Sequence, residues 1–300
     1  MNRVFHKLLA AGIAGAALLS SASFAADKLP VVASFSILGD LVRVVGGERV
    51  SVTTLVGPDE DAHVFEPRPA DARAIVQSRL LVINGLGFEP WAQKLAKSAG
   101  YKGETVVTSR GVKARMMVEE NGHDETDPHA WQNPGNVVLY VRNISAALSK
   151  ADPSGSAVYQ ANTDAYVKEL QTLDAWAKEQ FAAIPPARRK VITSHDAFGY
   201  FAAQYQVQFL APQGVSTDAE PGAKEVAQLI RQIQREKIRA VFVENMSNPR
   251  LLAQLSKDAG VSAGPALYVD ALSAAGGPAD SYLKLMRHNV TQLVLGMRQN

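Results

Sequence analysis

The sequence alternates short apolar runs with longer amphipathic stretches. The apolar runs are rich in Val, Ile and Leu and have the length of buried strands; they cover residues 31–37, 50–56, 80–84, 105–108, 190–194, 207–210, 240–244 and 266–269. Apolar positions recur at helical spacing in residues 38–45, 70–77, 90–98, 223–236 and 249–259. Strands that alternate with helices predict parallel sheets covered on both faces, so the pattern indicates an α/β protein.

One stretch, residues 152–184, breaks this alternation and predicts a single long helix. It holds good helix formers throughout, and Asp152 and Pro153 suit its first turn. The pair Pro185 and Pro186 ends it. A helix of that length would run roughly 45 Å at 1.5 Å per residue, about the height of a two-lobed protein. We interpret it as a linking spine helix.

The length of the chain, 300 residues, is enough for two domains. We expect an N-terminal lobe at 26–151, the spine helix at 152–184 and a C-terminal lobe at 185–300. Each lobe should contain a mostly parallel sheet flanked by helices. Residues 109–127 are polar and acidic and are predicted to be the one low-order segment, whereas residues 279–298 are predicted to form a closing helix.

The first 25 residues have the pattern of a secretory signal peptide. Arg3 and Lys7 precede an apolar run over residues 8–19, and small residues lead to a cleavage site after Ala25. The chain contains no Cys, which a lipid anchor at a new N-terminus would need. We therefore expect a free periplasmic protein with no lipid anchor. Basic and acidic residues nearly balance, 31 against 29, so no nucleic-acid partner is expected.

Without Cys, any tight transition-metal site must use imidazole and carboxylate ligands, so the histidines carry most of the information. His63 lies in a Gly- and Pro-containing turn just after a predicted strand, where ligands collect in open α/β sheets. An ordinary surface histidine is an equally good interpretation of that position alone. His129 precedes a predicted helix, and Asp127 could orient its imidazole. The alternative is a helix start with Trp131 in the core.

His195 and Asp270 follow predicted strands of the second lobe. His195 comes directly after the strand at 190–194 and should face the crevice between the lobes, although a buried, satisfied histidine would fit too. Asp270 follows the strand at 266–269 and could equally be a helix cap. Taken together, two positions from each lobe predict one metal site with three nitrogen ligands and one oxygen ligand.

The other histidines fit the site less well. His6 belongs to the predicted signal peptide, and His288 lies in the predicted C-terminal helix. His123 belongs to the acidic segment, which we interpret as a solvated loop. A weak metal-capturing arm is the alternative for that segment.

Four segments carry a family resemblance: residues 61–71, 127–134, 194–201 and 214–221, which read DAHVFEPRPAD, DPHAWQNP, SHDAFGYF and GVSTDAEP. They resemble those of the zinc/manganese ABC-transporter substrate-binding proteins, the metal-binding cluster A solute-binding family. The resemblance implies two α/β lobes joined by one long helix, and metal ligands at His63, His129, His195 and Asp270. It also implies an ABC permease and an ATPase as partners. Ala62 and Asn133 depart from the usual Pro and Asp of the family.

Three imidazoles and one carboxylate favour Zn²⁺ as the transported ion, because Mn²⁺ binds most weakly in the affinity order and prefers oxygen ligands. Mn²⁺ is the alternative, since the loop before His129 lacks the many histidines of zinc-specific relatives. We expect a monomer, and a metallochaperone is left open as the donor of the ion.

Two other functions fit the sequence less well. A metal-dependent hydrolase would need an open coordination position and a general base such as Glu66, Glu220 or Glu244, but four protein ligands leave no such position. Each of those carboxylates could equally be a surface group, a turn group or a carboxylate that supports a metal ligand. The chain also lacks the His-Glu-x-x-His motif. An adhesin is the third possibility, which the absence of sticky repeats disfavours. The sequence therefore predicts a metal carrier that is not an enzyme.

Overall fold

The first lobe is built on a four-stranded sheet in which all strands are parallel. A computed structural model describes residues 27–118, 124–219 and 221–300. The strands β1 (Leu29–Phe35), β2 (Val50–Val56), β3 (Leu80–Ile83) and β4 (Glu104–Val107) lie in the order β2-β1-β3-β4. The helices of this lobe are α1 (Ser36–Gly46), α2 (Pro69–Gln77), α3 (Pro90–Ser98) and α4 (Pro134–Ala151).

Both faces of the sheet are buried at its two central strands, β1 and β3, which explains why these strands are mostly apolar. Along β1, Val31 and Ala33 pack into the main hydrophobic cluster with α1 and α4. Val32 points the other way, into a smaller cluster with Ile75 of α2 and Ala92 of α3. Successive side chains of a strand alternate between the two faces of the sheet, so a strand that is covered on both faces needs apolar residues at nearly every position.

The second lobe repeats this strand order. Its strands are β7 (Lys190–Ile192), β8 (Gln208–Leu210), β9 (Phe242–Glu244) and β10 (Gly264–Leu267). Parallel pairs β7·β8 and β9·β10 are joined by one parallel bridge between Ile192 and Val241, so the order is β8-β7-β9-β10. The helices are α6 (Gly199–Tyr205), α7 (Ala223–Glu236), α8 (Pro249–Ala259) and α9 (Tyr282–Met297).

The long helix α5 (Ser156–Ala182) joins the lobes. Its 27 residues span about 40 Å at 1.5 Å per residue. The predicted start, residue 152, is four residues early, because Pro153–Gly155 form a 3-10 turn capped by the Asp152 side chain. The α/β fold with two lobes and a linking helix is confirmed.

The lobes share one hydrophobic core. The main cluster runs from β1, α1 and α4 through α5 to α9, and hydrogen bonds join the lobes directly. The Ser36 hydroxyl oxygen accepts the backbone N–H of Leu272 at 2.9 Å, and Asp40 accepts the N–H of Tyr282 at 2.8 Å. Such continuous packing resists wide separation of the lobes, since opening would expose apolar surface to water.

Several predicted elements were wrong in part, and two of them lie beside the site described below. The low-order segment 109–127 includes an antiparallel hairpin of β5 (Arg115–Val118) and β6 (Asp124–Asp127), whose ladder satisfies its backbone hydrogen bonds. His123 lies outside the described residues, as does the predicted signal peptide. The last strand of the second lobe is Gly264–Leu267, because side chains of Asn245 and Asn289 bind the backbone beyond it. Within the described residues, no helix combines the length and apolar character needed to cross a membrane.

Candidate metal centre

The four predicted residues meet at the carboxyl ends of the parallel strands, where the lobes face each other. His63 lies in the loop after β2, and His129 comes two residues after β6. His195 and Asp270 each stand three residues beyond the end of a strand, β7 and β10. One potential ligand atom from each of the four lies within 4.8 Å of the others. In open α/β sheets this edge is where ligands bind.

The atoms of the cluster have the spacing of ligands around one ion. Nε2 of His129 lies 3.3 Å from Nε2 of His63 and 3.4 Å from Nε2 of His195. Asp270 Oδ2 lies 3.4 Å from Nε2 of His63 and 3.2 Å from Nε2 of His195. Tetrahedral bonds of about 2.0–2.1 Å to Zn²⁺ would separate neighbouring ligand atoms by about 3.3 Å. The cluster therefore has the dimensions for a small divalent cation.

Two buried carboxylates orient two of the imidazoles. Asp127 Oδ1 lies 3.0 Å from Nδ1 of His129 and accepts its backbone N–H. Glu244 Oε2 lies 2.5 Å from Nδ1 of His195, and Glu244 Oε1 accepts the backbone N–H of that residue. A proton held on Nδ1 leaves the lone pair of Nε2 directed at the centre of the cluster.

His63 is oriented through its backbone. Asp61 Oδ1 accepts the N–H of His63 at 2.8 Å, and the imidazole packs edge-on against Phe88 at 4.8 Å between ring centroids. Its side chain is 5% exposed, whereas those of the other three residues are fully buried. His63 is therefore the part of the cluster closest to solvent.

Asp270 has a buried carboxylate whose oxygens form no hydrogen bond. Burial acts to raise the pKa of this carboxyl, but the neighbouring imidazoles of His129 and His195 hold the pKa well below its usual range. A buried carboxylate without hydrogen bonds is costly unless a cation compensates it. The pocket thus presents a negative group that positive charge would stabilise.

The pKa of His195 is shifted in the opposite direction from that of Asp270. Burial acts to lower the pKa of its imidazole, but the carboxylates of Glu244 and Asp270 raise the pKa well above its ordinary value. A proton on His195 therefore supplies part of the positive charge that the two carboxylates require. A metal ion would have to replace that proton, because only a neutral imidazole can bind it.

Trp131 and Gln132 fix the Asp270 segment to the first lobe. The indole Nε1 of Trp131 and the side-chain Nε2 of Gln132 both donate to the carbonyl oxygen of Val269 at 3.0 Å. The alternative interpretation of Trp131 as a core residue is compatible with this, since its side chain is fully buried. The carboxylate of Asp270 is thereby held opposite His129.

Sequence reasoning identifies some of the supporting groups and misses others. Asp127 is predicted as an orienting group and lies beside His129. Glu244 is predicted only as one of three carboxylates that could be a base or equally a surface, turn or metal-supporting group, and nothing in the sequence connects it to His195; its position at the end of β9 places it on the same sheet edge as His195. Of the other two candidate bases, Glu66 is exposed and Glu220 lies outside the described residues.

A two-lobed α/β fold around such a cluster defines the class of metal-binding receptors that serve transporters. The family described as "Zinc-uptake complex component A periplasmic" matches residues 31–296, and the chain belongs to it. The manganese-binding lipoprotein MntA of Halalkalibacterium halodurans is 34% identical over 273 residues, which cover 91% of this chain and 90% of that protein.

Solved structures agree with the fold. The periplasmic zinc binding protein TroA from Treponema pallidum has a TM-score of 0.85 at 26% identity, covering 90% of this chain and 99% of that one. A Mn-bound periplasmic metal binding protein from Candidatus Liberibacter asiaticus has a TM-score of 0.80 at 30% identity, covering 90% of this chain and 100% of that one. This protein is therefore a metal ABC-transporter substrate-binding protein, not an enzyme, and its family works with a permease and an ATPase.

The relatives correct one prediction. MntA and the relatives from Streptococcus cristatus and Streptococcus pneumoniae are named as lipoproteins. This finding contradicts the expectation of a free periplasmic protein with no lipid anchor, which we withdraw. The expectation depended on the lack of a single residue type, Cys.

Proposed function

We propose that His63, His129, His195 and Asp270 are the ligands of the transported ion, with Zn²⁺ the favoured ion. The observation that carries the proposal is the buried Asp270 carboxylate, which forms no hydrogen bond and faces three imidazole nitrogens. A divalent cation at the centre would compensate that charge. The first lobe, proposed as residues 26–151, supplies two ligands, and the second, residues 185–300, supplies the other two.

Zinc is favoured by the chemistry of the donors. Three imidazole nitrogens and one carboxylate satisfy a tetrahedral Zn²⁺, and the affinity order places Zn²⁺ well above Mn²⁺ at nitrogen-rich sites. The orienting carboxylates Asp127 and Glu244 strengthen this preference, because each makes its imidazole a better donor. Four protein ligands also leave the ion without an open position, as suits a cargo that is carried unchanged.

Manganese is the second candidate, and two observations favour it. Relatives such as MntA are named for manganese, and a similar solved structure is Mn-bound. Both oxygens of Asp270 also lack hydrogen bonds. If both bound one ion, the site would offer five donors including two oxygens, which suits Mn²⁺ better than a four-ligand site does.

Competition between the two ions tests the proposal. Metal-free protein is equilibrated with Zn²⁺ and Mn²⁺ at equal free concentrations, and the bound metal is measured by elemental analysis after removal of free ions. We expect one zinc per chain. Tighter binding of Mn²⁺ would overturn the choice of zinc, and the absence of any stoichiometric ion would overturn the site itself.

Single substitutions to Ala at each of the four residues complete the test. Each should reduce binding by at least about tenfold, because an incomplete ligand set leaves the ion partly uncoordinated. His288→Ala is the matched control, since its imidazole binds the carbonyl oxygen of Ala266 and lies outside the cluster. Equal losses in the control and the site variants would show that general damage, not loss of a ligand, explains the effect.

A further inference from the structure

A short segment of the first lobe, residues 57–63, lies on the second lobe and ends at a proposed ligand. We call it the His63 arm. The backbone N–H of Asp59 donates to the carbonyl oxygen of Leu272 at 2.9 Å, and Asp59 Oδ1 accepts from Nδ2 of Asn245 at 2.8 Å. Asp61 Oδ2 accepts from the hydroxyl of Thr217 at 2.7 Å. Three hydrogen bonds therefore attach the arm to the opposite lobe.

Thr217 is connected to His63 through a single carboxylate. One oxygen of Asp61 accepts the Thr217 hydroxyl, and the other accepts the backbone N–H of His63 at 2.8 Å. Loss of the Thr217 hydroxyl would leave Asp61 attached only to its own arm. The position of His63 relative to the second lobe would then be less tightly defined.

Asn245 connects the arm to the Asp270 segment. Its Oδ1 accepts the N–H of Val269 at 3.3 Å, and its Nδ2 donates to the carbonyl oxygen of Ala271 at 3.3 Å as well as to Asp59. One carboxamide thus binds the residue on each side of Asp270 and the arm that carries His63. Asn245 therefore links two proposed ligands without being a ligand itself.

The backbone of the arm is strained at the point of attachment. Asp59 has a φ of 56°, a left-handed conformation that is unfavourable for residues with a side chain, although Asp and Asn tolerate it best. Such a conformation persists only when the surrounding contacts hold it. The bonds to Asn245 and Leu272 are those contacts, so weakening them should favour release of the arm.

The arm also borders the route to solvent. His63 lines a cleft of about 500 Å³ whose walls include Phe88 and Pro128 of the first lobe and Val215 and Ser216 of the second. The other proposed ligands are fully buried. An ion that leaves by this cleft must first part from His63.

We propose that Thr217 and Asn245 are positioning residues that hold the His63 arm on the second lobe and thereby set the rate at which the ion leaves. The inference rests on the proposed ligand set. Neither residue contacts the ion; both act through Asp59 and Asp61. The ion is released when the arm separates from the second lobe. The hydrogen bonds from Thr217 to Asp61 and from Asn245 to Asp59 oppose that movement.

Dissociation kinetics test the inference. Protein loaded with one Zn²⁺ is mixed rapidly with excess EDTA, at chelator concentrations where the rate no longer depends on EDTA. Thr217→Val removes one hydroxyl at nearly constant shape, and the release rate should rise by about five- to tenfold, as expected for one lost hydrogen bond. Asn245→Asp places two carboxylates where Asn245 and Asp59 now share a hydrogen bond, and the rise should be larger.

A reciprocal exchange separates positioning from general damage. In the double variant Asp59→Asn with Asn245→Asp, the new amide at position 59 can donate to the new carboxylate at position 245. Release should be slower than in Asn245→Asp alone but faster than in the wild type, because the bond to position 59 is restored whereas the bond to the carbonyl oxygen of Ala271 is not. A nonspecific loss of stability would not give this partial recovery. Ser216→Ala is the control, because its hydroxyl lines the same cleft but forms its bond within its own loop, to the N–H of Asp218.

The outcomes distinguish this inference from the proposed function. Faster release in both single variants, with partial recovery in the exchange variant and no change in the control, would support the positioning roles of Thr217 and Asn245. The positioning roles would be refuted if Thr217→Val and Asn245→Asp released the ion at the wild-type rate, or if the exchange variant released it as fast as Asn245→Asp alone. Either result would leave the proposed ligand set intact. Failure of the wild-type protein to bind Zn²⁺ would overturn the proposed function.

Discussion

Replacement of Glu244 by Gln exchanges one oxygen for an NH₂ group and should weaken metal binding strongly. Glu244 is 1% exposed and accepts hydrogen bonds from the backbone N–H groups of Ser194 and His195 and from the imidazole of His195. A Gln side chain can still accept the backbone donors through its oxygen. Its NH₂ group would then face Nδ1 of His195, which must become an acceptor, and the proton would move to Nε2.

The magnitude follows from that change of tautomer. With a proton on Nε2, His195 directs N–H at the metal position and must rearrange before it can bind the ion. Loss of such an orienting partner lowers metal affinity by about 10- to 100-fold, or about 1.4–2.7 kcal/mol. We expect the upper part of this range, because the pair is fully buried and no water can replace the lost acceptor.

Competition with a chromophoric chelator at neutral pH measures the effect. The Zn²⁺ affinities of the wild-type protein and Glu244→Gln are compared, and calorimetry in buffers of different ionisation enthalpy counts the protons released on binding. Glu236→Gln is the control, since Glu236 belongs to the same lobe but pairs with Lys190. An affinity of Glu244→Gln within about twofold of the wild type would refute the reasoning about His195.

Three further predictions concern the same centre. Gly199→Ala should weaken Zn²⁺ binding by about tenfold, because the added Cβ would clash with Asp127 Oδ2 and displace the group that orients His129. Gly214→Ala is the control and should bind Zn²⁺ normally, because a Cβ at that position has no neighbouring atom within 4 Å. The metal-free protein gains stability from the raised pKa of His195, and this stabilisation is fully present below about pH 6.5. It should be lost as the pH rises through the raised pKa of the folded protein. The free energy of unfolding measured in urea should therefore fall toward alkaline pH, and a rise would contradict the prediction. Zn²⁺ at about a thousandfold excess over its dissociation constant should raise the free energy of unfolding by about 4 kcal/mol, and a melting temperature unchanged by the ion would contradict binding to the folded state.

Much of the fold could be predicted because its signals are local. The apolar run of β3 and the helical stretch of α8 were recognised within a residue or two, since a strand buried on both faces and an amphipathic helix each have a characteristic period. The end of β10 was misplaced because Tyr268 and Val269 are as apolar as the strand before them. Their backbone is bound by side chains of Asn289 and Asn245, which are distant in sequence.

The hairpin β5–β6 shows a second limit. Its second strand, β6, has the polar and acidic sequence DETD, and polar composition usually indicates a loop. The hairpin is nevertheless anchored to the second lobe, because the Tyr200 hydroxyl donates to the carbonyl oxygen of Asp127 and accepts the N–H of Arg115. Contacts between residues 73 or more positions apart leave no periodic signal in either segment.

The sequence by itself determined which chemistry is available: no thiol, few histidines, and each candidate ligand near the end of a strand or turn. Parallel strands bring such ends to one edge, so convergence of His63, His129, His195 and Asp270 could be foreseen. Apart from Asp127, which the sequence already places beside His129, only the tertiary structure decided which groups support them. Glu244 orients His195, and Asn245 and Thr217 attach the His63 arm, because folding places side chains from distant segments within hydrogen-bonding distance of one another. Those pairings depend on how the two lobes pack, and no local pattern of residues encodes that distance.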